Sequence, residues 1–425
     1  MAALLLATAP ALAAPPPAAP ADQLEGVVIL MRHSVRSYMN DPRCTSAPQS
    51  SCLDSWSKEP WPLFSVPPGN LTERGFQLAK LLGAYYGEHY RALGMLPADK
   101  CNSIWVHANR TQRTIKTGEA LAAGLAPTCD IHVDTVAEGQ YDPLFDPVPA
   151  GATHLDMNLA LASVQGRIGD AKPWTAAWAA NTEALQTLLL DCKPERCKTE
   201  IRNGGPLAGR QLLTEVPTSL SIGTSAPVDL NSPVSSGATL TDSLLMAYAE
   251  GFPESKLAGG RLTLPLMNQV EALNEANWDI RLRTPYMARV GATPLLQRIV
   301  SLLSGDGAPF SVLVGHDGNV ILLGGLLRMD WAMTGYQPGE VPPASGLVFE
   351  RWRRGSDGKI VIRARYTTQS LQQLREAKVL TEEHPPLASP VFIPGCSESG
   401  LTTMDCPLET LHIVAFAATH SPDVP

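Results

Sequence analysis

Three times in this chain an apolar run that reads as a buried strand ends in a cluster of chemically capable side chains. Gly-Val-Val-Ile-Leu-Met (26–31) runs into Arg32-His33-Ser34-Val35-Arg36. Ser-Ile-Trp-Val-His (103–107) leads to Ala-Asn-Arg-Thr-Gln-Arg-Thr (108–114), and Ile115 to Gly124 then reads as an Ala-rich helix stopped by Gly124 and Pro127. Phe-Ser-Val-Leu-Val (310–314) leads to Gly315-His316-Asp317-Gly318-Asn319, with Val320 to Leu327 as a buried helix. Strands alternating with helices specify an α/β sheet, and such sheets hold ligands beyond the carboxyl ends of their strands. The three clusters are therefore expected along one sheet edge.

The first cluster sets the chemistry. Arg32 and Arg36 flank His33, and the two guanidiniums repel unless something anionic lies between them. A phosphoryl group fits, because arginine's planar fork matches phosphate oxygens. His33 is then placed to attack phosphorus. Arg113, at the start of the 115–124 helix, supplies a third guanidinium, and that helix's amino end favours an anion. His316 is read as a donor to a phosphoryl oxygen, and Asp317 as the acid for the leaving alkoxide. The neighbouring arginines disfavour imidazolium, so His33 stays neutral in mild acid, where Asp317 is protonated. The expected working range is acidic. Each piece alone is weak, since a His-Asp pair at a strand end is commonly a turn. The conjunction at three strand ends carries the reading.

The formal net charge of −8, without a polybasic run, argues against nucleic acid and anionic membranes as partners. The amino terminus reads as a signal peptide over residues 1–14, cut after Ala13 or Ala14, though without a basic n-region. The Pro- and Ala-rich residues 15–22 read as a flexible lead-in. Eight cysteines fit an exported, oxidised protein, periplasmic or secreted. Many pairings are open, and spacing favours neighbours: Cys44–Cys52, Cys101–Cys129, Cys192–Cys197 and Cys396–Cys406. No pair has the tight spacing of a zinc knuckle and no Asp/His ligand cluster stands out, so neither metal nor cofactor is expected.

Residues 71–91 read as a helix with Thr72 as N-cap, and 346–352 with 359–366 as a hairpin turning at Gly355-Ser356-Asp357-Gly358. Between about 150 and 300, the stretches Trp174 to Leu190, Leu240 to Glu250 and Leu266 to Leu282 read as helices, with little strand signal. The expected architecture is a mixed-sheet α/β domain flanked by helices (23–148 and 300–425), with a smaller all-α domain (149–299) inserted.

Arg32-His33-x-x-Arg36 and Gly315-His316-Asp317 match the RHGxRxP and HD motifs of the histidine acid phosphatases. The chain resembles their bacterial periplasmic phytase and glucose-1-phosphatase branch over nearly all of the mature sequence. Gln112-Arg113-Thr114 with the segment 116–127, and the segments 142–147 and 348–354, are phytase-like, while Glu250-Gly251-Phe252-Pro253 is similar to the glucose-1-phosphatases. The resemblance implies a histidine phosphatase-like fold and a phosphohistidine on His33, with Asp317 as proton donor. It implies that Arg32, Arg36, Arg113 (rather than Arg110) and His316 hold phosphate, and that Asp242 faces the pocket. It implies a small-molecule phosphomonoester as substrate and inorganic phosphate as product. The cysteine pairs 101/129, 192/197 and 396/406 fit family bridges; 44/52 is local to this chain.

The chain departs from the motif at Ser34, where the family has glycine, and at Tyr38, where it has proline. Met39 and Asn40 replace the Thr and Lys that phytases tend to offer, and Gly318 a small hydroxyl residue. With Tyr38, Met39 and Asn40 placed at the pocket lip, the expected preference is for sugar monophosphates such as glucose 1-phosphate. The alternatives are a phytase that releases several phosphates, a non-catalytic binder of phosphorylated ligands, a phosphoglycerate-mutase-like enzyme and a metal-dependent phosphatase.

Overall fold

The computed structural model describes residues 20–43, 52–96, 101–223, 227–398 and 403–420. The expected signal peptide (1–14), most of the lead-in, and Cys44, the expected partner of Cys52, lie outside the described residues. Disulfides join Cys101–Cys129, Cys192–Cys197 and Cys396–Cys406.

In chain order, β1 (Gln23–Arg32), α1 (Glu73–Ala92), β2 (Ile104–Ala108), α2 (Gln112–Leu125) and β3 (Val133–Asp134) come first. Then follow α3 (Met157–Ile168), α4 (Ala171–Ala176), α5 (Ala179–Leu190), α6 (Pro194–Arg202), β4 (Ser219–Ile222) and β5 (Val228–Asn231). Three long helices succeed them: α7 (Pro233–Glu250), α8 (Leu264–Leu282) and α9 (Pro285–Ser304). The chain returns through β6 (Phe310–Gly315), α10 (Asp317–Leu327), β7 (Gly346–Arg353), β8 (Ile360–Thr368) and α11 (Leu371–Glu376). It ends with β9 (Leu387–Pro390), β10 (Cys406–Pro407) and α12 (Leu408–His420).

The main sheet has eight strands in the order β10-β8-β7-β1-β6-β2-β3, with β9 paired to β8. It is mixed: β1, β6, β2 and β3 run parallel, while β7 and β8 run antiparallel to their neighbours. Both faces of β1 are covered, which is why its sequence is continuously apolar rather than alternating. Val27, Ile29 and Met31 pack with Leu82, Leu121 and Leu125 of α1 and α2. Val28 and Leu30 pack on the other side with Leu295, Ile299 and Val320 of α9 and α10. Each such fully buried side chain contributes roughly 1.5–3 kcal/mol.

Three features differ from the sequence expectation. The region expected to be all helical also holds the antiparallel hairpin β4–β5. Its first strand is four residues of Ser-Leu-Ser-Ile, too short and polar to register as a buried run. The stretch expected as one helix over Trp174–Leu190 is two, because at Trp178 the amide bonds to Thr175 instead of continuing the helical register. Helix α9 runs across the expected boundary at 299/300 and packs against the sheet.

Helix α1 starts where expected, with Thr72 Oγ1 accepting from the Gly75 amide. It lies against α2 at backbone contact distance. A Cβ on Gly83 would fall 2.2 Å from the Leu121 carbonyl oxygen, and one on Gly124 2.1 Å from that of Lys80. The two glycines thus let α2, which carries Arg113, pack closely on α1. Gly83→Ala forces the helices apart and is expected to destabilise the fold by about 1–3 kcal/mol. Urea denaturation measures this, and an unchanged midpoint would show that the contact is slack.

Candidate active site

The parallel register brings the three clusters together. Arg32 pairs with Gly315 at the carboxyl ends of β1 and β6, and Ala108 at the end of β2 pairs with Val314. Past β1, the His33 amide donates to the Gly315 carbonyl (2.9 Å), and the His33 carbonyl accepts from the Ala344 amide (3.1 Å). The backbone carrying the imidazole is therefore clamped on both sides. His33 Nδ1 lies 2.8 Å from the Ser34 carbonyl. A carbonyl only accepts, so Nδ1 carries the proton and Nε2 keeps a free lone pair.

Around that imidazole stand three guanidiniums and a second imidazole. Arg32, 1% exposed, donates to the Val341 carbonyl and to Asp242 Oδ1, both at 2.7 Å, and lies 3.2 Å from Asp317 Oδ2. Arg36 donates to Asp242 Oδ2 at 2.7 Å. Arg113, in the first turn of α2, reaches His316 Nδ1 at 3.5 Å, and the His33 and His316 rings meet edge to face with centroids 5.5 Å apart. Asp317 is the first residue of α10, whose amino end points at the same space. All but Arg32 line one cavity of about 310 Å³, which Met39 and residues of α7 and α8 complete. Arg110 instead lies over the Tyr141 ring, 4.1 Å from its centroid.

The anion between Arg32 and Arg36 is Asp242 itself. It is mostly buried and holds one guanidinium on each carboxylate oxygen, so it is neither a solvated helix residue nor a free acceptor for sugar hydroxyls. Burial pushes its carboxyl up, but the charges and hydrogen bonds of Arg36 and Arg32 outweigh that, leaving it below the ordinary value. Tyr38 is not at the pocket lip. It is buried edge-to-face against Trp61 and Phe64. Asn40 lines a separate depression with Asp41 and Leu63, so only Met39 of that trio borders the cavity.

Several contributors escaped the sequence reading. Thr117 Oγ1 accepts from the Ser34 amide and donates to the Arg113 carbonyl, tying the loop after β1 to the first turn of α2. Its signal was only a threonine within an Ala-rich helix. Asn319 fastens the loop after β6, accepting from the His316 amide and donating to the Phe145 carbonyl. Asn274, Asn277, Trp278 and Arg281 line the cavity from α8. Their i, i+3, i+4, i+7 spacing on a helix already read from the sequence was the available sign.

The chain belongs to the histidine phosphatase superfamily (branch 2), whose family model matches residues 23–215, and it is a phosphoric monoester hydrolase. It is 35% identical over 393 residues to phytase AppA of Escherichia coli strain K12, covering 88% of each chain. It is 27% identical to the glucose-1-phosphatase of Salmonella typhimurium, again over 88% of each. Among solved structures, the Hafnia alvei phytase in complex with tartrate superposes with a TM-score of 0.83 at 31% identity, covering 95% of this chain and 99% of that one. The Klebsiella sp. ASR1 phytase gives 0.81 at 27% identity, covering 95% and 98%. Among the described residues no helix is long and apolar enough to cross a membrane.

Burial, followed by the charges of Arg32, Arg113, His316 and Arg36, pushes the His33 imidazole well below its ordinary value. Burial and Arg113 likewise lower His316, against the opposing charge of Asp317. Burial and Arg36 bring Arg113 down to about 10, so it stays charged in acid. Because His33 gains its proton only below the usual imidazole range, its ring ¹⁵N signals are expected to remain those of a neutral imidazole from pH 7 to about 5. Titration of His33 at an ordinary value near 6.5 would show that the cationic surround is not felt.

Proposed function

We propose that this chain is an acid phosphatase that hydrolyses phosphomonoesters through a covalent phosphohistidine on His33, with Asp317 as proton donor. The observation that carries this is the bare Nε2 of His33, its proton held at Nδ1 by the Ser34 carbonyl, in a cavity bordered by guanidiniums. Arg32, Arg36, Arg113 and His316 take the non-bridging oxygens of the phosphoryl group. Nε2 attacks phosphorus, a P–N bond forms, and the bond to the ester oxygen breaks as Asp317 gives that oxygen its proton. Water then attacks the phosphohistidine and Asp317 takes its proton. The P–N bond breaks, its electron pair returns to Nε2, and inorganic phosphate leaves. The scheme needs no metal or organic cofactor and no nucleic-acid or membrane partner. It runs in acid, where burial and the surrounding guanidiniums keep His33 neutral.

The substrates proposed are phosphorylated polyols, both sugar phosphates such as glucose 1-phosphate and phytate. The case for sugar monophosphates rested on Tyr38 and Asn40 at the lip and on Asp242 accepting from hydroxyls, and those residues are engaged elsewhere. A phytase that releases several phosphates is therefore the reading to weigh beside it. Residues 23–148 with 300–425 carry the chemistry and 149–299 roofs it. The three disulfides support a periplasmic or secreted setting.

His33→Ala is expected to lower turnover of every phosphomonoester by at least about a thousandfold and to abolish the acid-quenched phosphoenzyme that the wild type forms from ³²P-labelled substrate. Retained phosphoenzyme in the variant would place the nucleophile elsewhere. Asp317→Asn is expected to cost about 10²–10⁴-fold on alkyl phosphates, whose leaving group needs the proton. Its effect on p-nitrophenyl phosphate should be far smaller; equal losses on both would remove Asp317 as the acid.

A further inference from the structure

Helices α7 and α8 each turn one face to the cavity: Ser235, Ala238, Thr239 and Asp242 from α7, and Asn274, Asn277, Trp278 and Arg281 from α8. The α7 face ends in the carboxylate already engaged by Arg32 and Arg36. On the α8 face three polar groups are unengaged. Asn277 Oδ1 and Trp278 Nε1 are buried and have no hydrogen-bond partner. Among the described residues the Arg281 guanidinium makes no side-chain hydrogen bond and has no carboxylate within ion-pair distance. The charged group acting on it is Asp229, and burial lowers its affinity for its own proton. A half-buried guanidinium whose opposing charge, Asp229, lies beyond ion-pair distance, on the same helix face as an unpaired indole N–H, suits an anion that accepts hydrogen bonds.

We propose that Arg281, with Trp278 Nε1 beside it, binds a second, non-scissile phosphate of a polyphosphorylated substrate while the scissile one sits at His33. Asn277 Oδ1 accepts from a neighbouring ring hydroxyl. Arg281 is thus a specificity residue: it touches the substrate but not the reacting atoms. It also changes the cation count of the pocket. The inner arginines engage the reacting phosphate, whereas Arg281 adds a fourth guanidinium one helical turn beyond Trp278. A monophosphate reaches only the inner set, and an inositol polyphosphate reaches both. This inference rests on the phosphomonoesterase reading above.

The test compares wild type, Arg281→Ala and Arg281→Lys in the full chain, with circular dichroism melting as the check on folding. The quantity read is the ratio of kcat/KM on phytate to kcat/KM on p-nitrophenyl phosphate at acid pH. Arg281→Ala is expected to lower that ratio at least tenfold, mainly through KM, and Arg281→Lys to recover part of it because the charge remains. A second measurement, calorimetric Kd for the non-hydrolysable myo-inositol hexakissulfate, is expected to rise at least tenfold in Arg281→Ala. If wild type hydrolyses p-nitrophenyl phosphate but the ratio stays within twofold in Arg281→Ala, the subsite is overturned and the phosphatase stands. If wild type hydrolyses neither substrate, the functional reading fails, and the hexakissulfate affinities alone decide the subsite. Should Arg281→Ala fail to fold, Arg281→Gln, which keeps a polar stem, takes its place in both measurements.

Discussion

The carboxylate of Asp242, gripped on one oxygen by Arg32 and on the other by Arg36, is the contact on which the arrangement turns. Two buried guanidiniums four residues apart in the chain and aimed at one point need an anion between them. That anion comes from α7, whose boundaries are strongly specified. Ser232 and Ser235 cap its start reciprocally around Pro233, and Gly251 ends it in a left-handed conformation with φ of 85°. One carboxylate, through two ion pairs, therefore joins the sheet edge to the helical segment and sets the spacing of the arginines. Salt would screen such a pair weakly, because both arginines are buried.

Charge is graded across the site. Near Arg32 lie Glu271 and Glu340, both buried, and Glu275, which is partly exposed. Burial drives all three carboxyls upward, Glu340 to about 7, and neither oxygen of Glu271 has a hydrogen-bond partner. In acid these groups are neutral, which avoids setting unpaired carboxylates against Asp242. In front of Arg32 the balance reverses: three guanidiniums surround imidazoles that burial and charge keep neutral. Both shifts suit a protein whose groups are best matched below neutral pH. For Arg32 the charges of Asp317 and Asp242 outweigh the cost of burial and raise its pKa, whereas Arg113 is lowered to about 10 and stays charged in acid.

Much of this was legible in the residues. β1, β6 and the hairpin β7–β8 follow from apolar runs bounded by turn residues, and α1 from its Thr72 cap and apolar face. His33, His316, Arg32, Arg36 and Asp317 were legible because each lies at or within four residues of a strand's carboxyl end, where chain position constrains spatial position. Tyr38 was misplaced because adjacency to a site along the chain says nothing about which way a side chain turns, and its ring found Trp61 and Phe64. Arg281 was passed over because a lone arginine on an amphipathic helix has the same pattern whether it faces solvent or a cavity.

The sequence by itself determined the class of fold, the strand ends that carry the chemistry and the family to which the chain belongs. These depend on local periodicity and on motifs a few residues long. Tertiary structure alone decided what neutralises Arg32 and Arg36, which tautomer His33 adopts, and which face of α8 meets the cavity. The first and last are set by groups distant in the chain, as with Asp242 reaching across 210 positions to Arg32, and the tautomer by the way the loop after β1 turns the Ser34 carbonyl onto Nδ1. Periodicity specifies that a helix has a face; only packing specifies what that face meets.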